Sequence, residues 1–123
     1  MKHVLFIALG GAGGALARYW LQNLMRGSAI YLPLGTLTVN VLGSFLVGVV
    51  YVLVAERATL HPDWRSVMVV GFLCAFTTFS TFSLEAVVLL ENGQATMAGL
   101  YVLASVGICL CAVWAAIVLT RLV

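Results

Sequence analysis

Four long apolar stretches divide the chain, and only short polar breaks separate them. The breaks run from Arg26 to Tyr31, from Glu56 to Arg65, and over Glu91-Asn92-Gly93-Gln94. A helix needs roughly 20 apolar residues to cross a bilayer. The pattern therefore predicts helices over about 4–25, 33–54, 66–91 and 96–121. Pro33 closes the first break, where its fixed φ suits a helix start. Breaks this short force neighbouring helices to run antiparallel. The first apolar run continues from Val4 past Gly14 to Trp20 and beyond, so it reads as a mature span and not as a cleaved signal. Together the spans nearly fill residues 1–123, which predicts a single four-helix transmembrane domain.

Composition agrees with the pattern. Of 123 residues, 63% are hydrophobic and 8% charged, against roughly a quarter charged in soluble domains. So few charges cannot cover a water-facing surface, and lipid becomes the expected partner of the exterior. The net charge of +2 gives no footing for nucleic acid. Cys74, Cys109 and Cys111 all stand in apolar runs and read as small apolar filler rather than a disulfide framework. His3 and His61 have no acidic or thiol neighbour at ligand spacing in the sequence, so they suggest no metal site. Lys2, Arg57, Arg65 and Arg121 fall on one side, Arg26 on the other, with Arg18 near that end. The bias favours a cytoplasmic N-terminus, but only slightly. It suits subunits that insert both ways as well as ordinary insertion. A bundle this small has little interior, so a transport path is expected to need a second subunit.

Polar groups at membrane depth are the functional candidates, because each needs a partner there. Gly10, Gly14 and their neighbours in the first span read as close helix packing. Arg18, followed by Tyr19 and Trp20, is either an interfacial anchor or the fixed charge of an anion vestibule. Thr36, Asn40 and Ser44 share one face of the second span. The Asn40 amide offers two N–H donors, for interhelical bonding or for an anion. The third span holds five hydroxyl residues in seven positions: Thr77, Thr78, Ser80, Thr81 and Ser83. Such residues compete for the backbone, so local unwinding near Cys74 to Thr78 is plausible, with freed carbonyls able to hold a cation. Phe79 and Phe82 stand at i, i+3. They are ordinary packing, or ring edges turned towards an anion. Glu85 is a pathway acid or a residue reaching the interface. Tyr101, Ser105 and Cys109 follow at one-turn spacing on the fourth span, a thin polar track or plain bundle chemistry.

Three segments resemble the signatures of the Fluc (CrcB) fluoride channels. They are Gly10 to Tyr19, Gly35 to Phe45, and Thr77 to Phe82, in order and on successive helices. The resemblance covers the whole chain. It implies an all-α integral membrane protein with a break in helix three, forming an antiparallel, dual-topology homodimer in a bacterial inner membrane. It implies two fluoride pores at the dimer interface, each built from both subunits. Asn40 matches the pore asparagine, and Phe79 and Phe82 match the edge-on phenylalanines. Thr78, Ser80 and Thr81 fall in the hydroxyl segment beside them, Ser44 continues the Asn40 face, and Tyr101 and Ser105 match the track on helix four. Arg18 and Glu85 match vestibule positions. A structural sodium ion at the two-fold would take backbone carbonyls of Cys74 and Thr77. The family usually has Gly-Gly where this chain has Cys74-Ala75, and Cys109 stands where a hydroxyl is expected.

Two other classes compete with a passive fluoride channel. A small multidrug-type exporter wants a membrane-embedded carboxylate, but helix one has no acid and Glu85 lies towards one end of helix three. An accessory membrane subunit would leave Asn40, Phe79 and Phe82 unexplained. No nucleotide loop, catalytic triad or metal-ligand set is present, so the chain reads as a non-enzyme.

Overall fold

The computed structural model describes residues 2–26, 32–59, 61 and 63–123. Most of the first polar break and Pro62 of the second lie outside the described residues. Four helical spans are each long and apolar enough to cross a membrane: Lys2–Met25, Leu34–Glu56, Asp63–Glu91 and Ala95–Leu122. The first is the helix α1 (Lys2–Met25). The second is α2 (Leu34–Tyr51), capped at its start by Pro33 and widening into a π-helical turn over Val52–Glu56. The third is composite. A short α3 (Asp63–Arg65) leads into a π-helical stretch (Ser66–Leu73), then α4 (Cys74–Phe76) and α5 (Phe79–Glu91). The fourth is the unbroken α6 (Ala95–Leu122).

Small residues set how these spans meet. In lipid no water is released when helices pair, so association depends on backbones coming close. The first span lies along the π-helical stretch and α4. A Cβ added to Gly10 would collide with the Val67 carbonyl, and one added to Gly14 with the Phe72 carbonyl. From the other side, a Cβ on Gly71 would stand 3.0 Å from the Ile7 carbonyl. The packing reading of these glycines is what the fold uses. A second seam joins α2 to α6, where a Cβ on Gly48 would meet Ala116 Cβ and the Val113 carbonyl at 2.8 Å each. The sealed interior is thin and includes Val39, Val52, Ala98, Tyr101 and Ala116. The outer surface carries Leu24, Leu103, Trp114 and Leu122, which suits hydrocarbon as solvent.

Charges gather at the ends of the bundle. The Arg57 guanidinium donates to the carbonyls of Thr120 (2.8 Å) and Arg121 (3.1 Å). Those are among the last carbonyls of α6, which have no partner within their own helix. Arg121 pairs with Glu56, its Nε donating to Oε2 at 2.9 Å. Asp63 sits between the two histidines, 3.7 Å from His3 Nδ1 and 3.3 Å from His61 Nδ1. The sequence offered those histidines no acidic neighbour at ligand spacing; the fold supplies one. Even so, among the described residues no group of three or more His, Cys, Asp or Glu is arranged to hold a metal.

Candidate functional site

Between α4 and α5 the backbone leaves the helical region for two residues. Thr77 has φ −78° and ψ 157°, and Thr78 has φ −149° and ψ 113°. Side chains replace the helical bonds that are lost. Asn40 Nδ2 donates to the Thr78 carbonyl (3.0 Å), and the Thr78 amide donates to Asn40 Oδ1 (2.8 Å). One side-chain amide therefore latches both polar groups of one peptide residue. The Thr78 hydroxyl caps α5 by accepting from the Thr81 amide (3.3 Å) and donates to Thr81 Oγ1 (2.9 Å). Threonine serves well in that role because its oxygen reaches the free amides of a first turn. Thr77 Oγ1 donates back to the Leu73 carbonyl at 2.9 Å. Gly43 makes room, since a Cβ there would collide with Thr77 Cγ2.

The latch has an electrostatic by-product. In a continuous helix the Thr78 amide would bond the Cys74 carbonyl, four residues back. Here that amide is spent on Asn40, which leaves the Cys74 oxygen without its helical donor. Cys74 itself keeps right-handed helical geometry, with φ −65° and ψ −32°. Among the described residues the one non-glycine with positive φ is Ala58. Cys74-Ala75 in place of two glycines thus strains nothing in this backbone.

A cavity of about 350 Å³ opens beside the break. From α2 it is lined by Asn40, Gly43 and Ser44, and from the third span by Cys74, Thr77, Thr78, Phe79 and Phe82. Ser105 and Cys109 line it from α6. Phe79 is 77% exposed and Phe82 is buried. Their ring centroids lie 5.4 Å apart at 49°, and Phe82 is 5.3 Å from the Tyr101 ring at 50°. Tilted pairs of this kind place an edge of one ring near the face of the next. Ser105 is buried, yet its Oγ has no hydrogen-bond partner.

A second cavity, about 330 Å³, lies near the other ends of α1 and α2. Gln22, Arg26, Gly35, Thr36, Thr81 and Glu85 contribute to its wall. Here the polar groups answer one another. Gln22 Nε2 donates to Thr36 Oγ1 (3.3 Å), Thr36 Oγ1 donates to Glu85 Oε1 (2.8 Å), and Tyr101 OH donates to Glu85 Oε2 (2.7 Å).

The family is settled by comparison with known proteins. The family model for CrcB-like protein, Camphor Resistance (CrcB), matches residues 5–117. The chain belongs to the CrcB family. Three relatives carrying the name fluoride-specific ion channel FluC are similar over most of their length. One from Saccharophagus degradans is 53% identical, over 95% of this chain and 88% of the relative. One from Hahella chejuensis is 49% identical, over 100% and 98%. One from Rhizobium leguminosarum bv. trifolii is 43% identical, over 98% of each.

Set against this CrcB chain's expected site residues, the fold makes two groups. Asn40, Ser44, Cys74, Thr77, Thr78, Phe79, Phe82 and Ser105 surround the first cavity. Thr81 and Glu85 line the second. Tyr101 lies between them, bonded to Glu85 and packed at a tilt against Phe82. Ser80 is exposed and Arg18 half-buried, and neither lines either cavity. Asn40 was read as a donor to an anion or as interhelical bonding. One of its donors is spent on Thr78, which leaves one N–H over. Gln22 was missed. The available signal was its position one turn after Arg18, a polar residue repeating on one face of an apolar helix.

Proposed function

We propose that this chain forms a fluoride-selective passive channel that lets fluoride leave the cytoplasm and so lowers its toxicity. The observation that carries this is the set of relatives named fluoride-specific ion channel, matched end to end at 43–53% identity. The geometry supports it. Fluoride is small and strongly hydrated, so a pore must replace its water with donors and still release it. The first cavity is lined by Asn40, whose second N–H is left over, by Ser44 and Ser105, and by Phe79 and Phe82. These are neutral donors and weakly positive ring edges. They compensate an anion without the deep binding of a fixed charge. Thr81 and Ser80 extend the hydroxyl segment, and Glu85 with Arg18 stands towards the vestibule.

The assembled form is an antiparallel, dual-topology homodimer in the bacterial inner membrane, with two pores at its interface. The exposure of Phe79 beside the first cavity favours cover by a second subunit, since an aromatic ring there gains most when the far wall is protein. A structural sodium ion fits the donor set near the two-fold. The Cys74 carbonyl lacks its helical donor, and carbonyl oxygens suit a hard cation. Cys74 and Thr77 would hold it through backbone oxygens, and the ion would supply a fixed positive charge beside the break. The exporter reading is not favoured, because both oxygens of Glu85 already accept bonds from Thr36 and Tyr101.

Fluoride efflux from proteoliposomes, followed with a fluoride electrode and with chloride in parallel, tests the proposal. Rapid fluoride release without chloride release is the expected result. Equal release of both ions, or release of neither from a folded dimer, would sink it.

A further inference from the structure

We infer that His3, His61 and Asp63 form a pH-sensitive strap that ties the start of the first span to the start of the third more firmly in mild acid. None of the three lines either cavity, so the strap exists whether or not the chain conducts fluoride. Three observations carry it. The Asp63 carboxylate faces two imidazoles at once, with Oδ1 3.7 Å from His3 Nδ1 and Oδ2 3.3 Å from His61 Nδ1. His3 belongs to α1 and Asp63 to α3, so one of these contacts crosses between spans. His61 Nδ1 also accepts from the Asp63 amide at 3.3 Å.

One nitrogen cannot serve both groups of Asp63 in one protonation state. Neutral His61 with a bare Nδ1 accepts from the amide at the head of α3. Once protonated, that nitrogen carries a hydrogen and can only donate, so it turns to the carboxylate. Imidazole changes charge between pH 5 and 8. Acid therefore moves His61 from backbone to side chain and gives His3 a full charge to offer the same carboxylate. Lys2 and Arg65 stand beside the cluster in sequence, and such side chains keep their charge throughout that range. Glu56, Arg57 and Arg121 are engaged with one another and with the last carbonyls of α6.

The attraction is present while His3 is protonated and Asp63 ionised. It is lost as pH rises and the imidazole discharges, and lost again in strong acid when Asp63 takes a proton. The dipole of α1 opposes a positive charge in its first turn, which has no acid of its own. Asp63 brings the missing negative charge from the third span. The His3 side chain is 64% exposed and that of Asp63 42%, so the effect has the size of a surface ion pair. Since α1 lies along the π-helical stretch and α4, the strap clamps the head of a seam whose far end adjoins the Thr77-Thr78 break.

A double-mutant cycle on the full-length protein in detergent tests this. Thermal midpoints are read for the parent, His3→Gln, Asp63→Asn and the double variant, at about pH 5.5 and about pH 8. The cycle cancels what each group does alone, the pull of the α1 dipole included. The expected coupling is about 1–4 °C in mild acid, less than half of that at the higher pH, and close to nothing in about 1 M sodium chloride. His61→Ala should lower the midpoint more at the higher pH, where the amide loses its acceptor, and leave the acid coupling of His3 to Asp63 in place. Coupling that is absent in mild acid, equal at both pH values or untouched by salt would overturn the inference. So would acid coupling that vanishes in the His61→Ala background.

Discussion

The two cavities are walled differently: the first is mostly apolar with a few polar side chains, the second mostly polar. In the second, one chain of bonds links four helices: Gln22 to Thr36, Thr36 to Glu85, Tyr101 to Glu85. In the first, Asn40 spends one donor on Thr78 while Ser105 stays unpaired. A satisfied network is rigid and gains little from a visitor. The comparison teaches that the second cavity is closed by its own hydrogen bonds and the first is not. The second is built to hold α1, α2, α5 and α6 in register and to fix a carboxylate beside them.

Substitutions can break this contrast. The largest effect is expected from Asn40→Asp. It turns the remaining donor into a negative charge and removes the bond to the Thr78 carbonyl, so fluoride efflux should fall about a hundredfold or more, the scale of an uncompensated buried charge. Efflux near the parent level would remove Asn40 from the route. Next is Phe82→Ile, which keeps apolar bulk and removes the ring edge. Efflux should drop by about tenfold at most, in line with about 0.5–1.5 kcal/mol for an aromatic pair, while size-exclusion profiles stay unchanged. Loss of assembly instead would make Phe82 a packing residue.

The satisfied cavity should respond on stability more than on flux. Tyr101→Phe takes away one donor to Glu85 and should lower the thermal midpoint in detergent, at a cost of about 1–3 kcal/mol for a bond to a charged group. Gln22→Leu should cost less, about 0.5–1.5 kcal/mol, because its 3.3 Å bond is to a neutral hydroxyl. If either change cut efflux more than Phe82→Ile, the division between an occupied cavity and a structural one would be wrong.

Much of the fold was legible because the bilayer demands long apolar runs, and four such runs were visible. The glycines of the first span also announced close packing. The π-helical winding of Ser66–Leu73 was not legible, since an extra residue per hydrogen-bonded turn leaves no mark in an all-apolar segment such as Val67 to Leu73. For the candidate site, periodicity put Asn40 and Ser44 on one face of α2, and both line the first cavity. It could not say that Asn40 would reach a backbone 38 positions away. Nor could it separate Tyr101 from Ser105, which share a face of α6. The first donates to Glu85, while the second is sealed in the interior without a close hydrogen-bond partner.

The Asn40 latch also constrains the order in which the protein is made. A lone third span entering hydrocarbon has no outside partner for the Thr78 amide and carbonyl, so it is best served by an uninterrupted helix. The extended pair Thr77-Thr78 becomes affordable only once the second span has docked and brought its amide alongside. The interruption is then a product of assembly, written into the third span by its neighbour after the span has entered the bilayer.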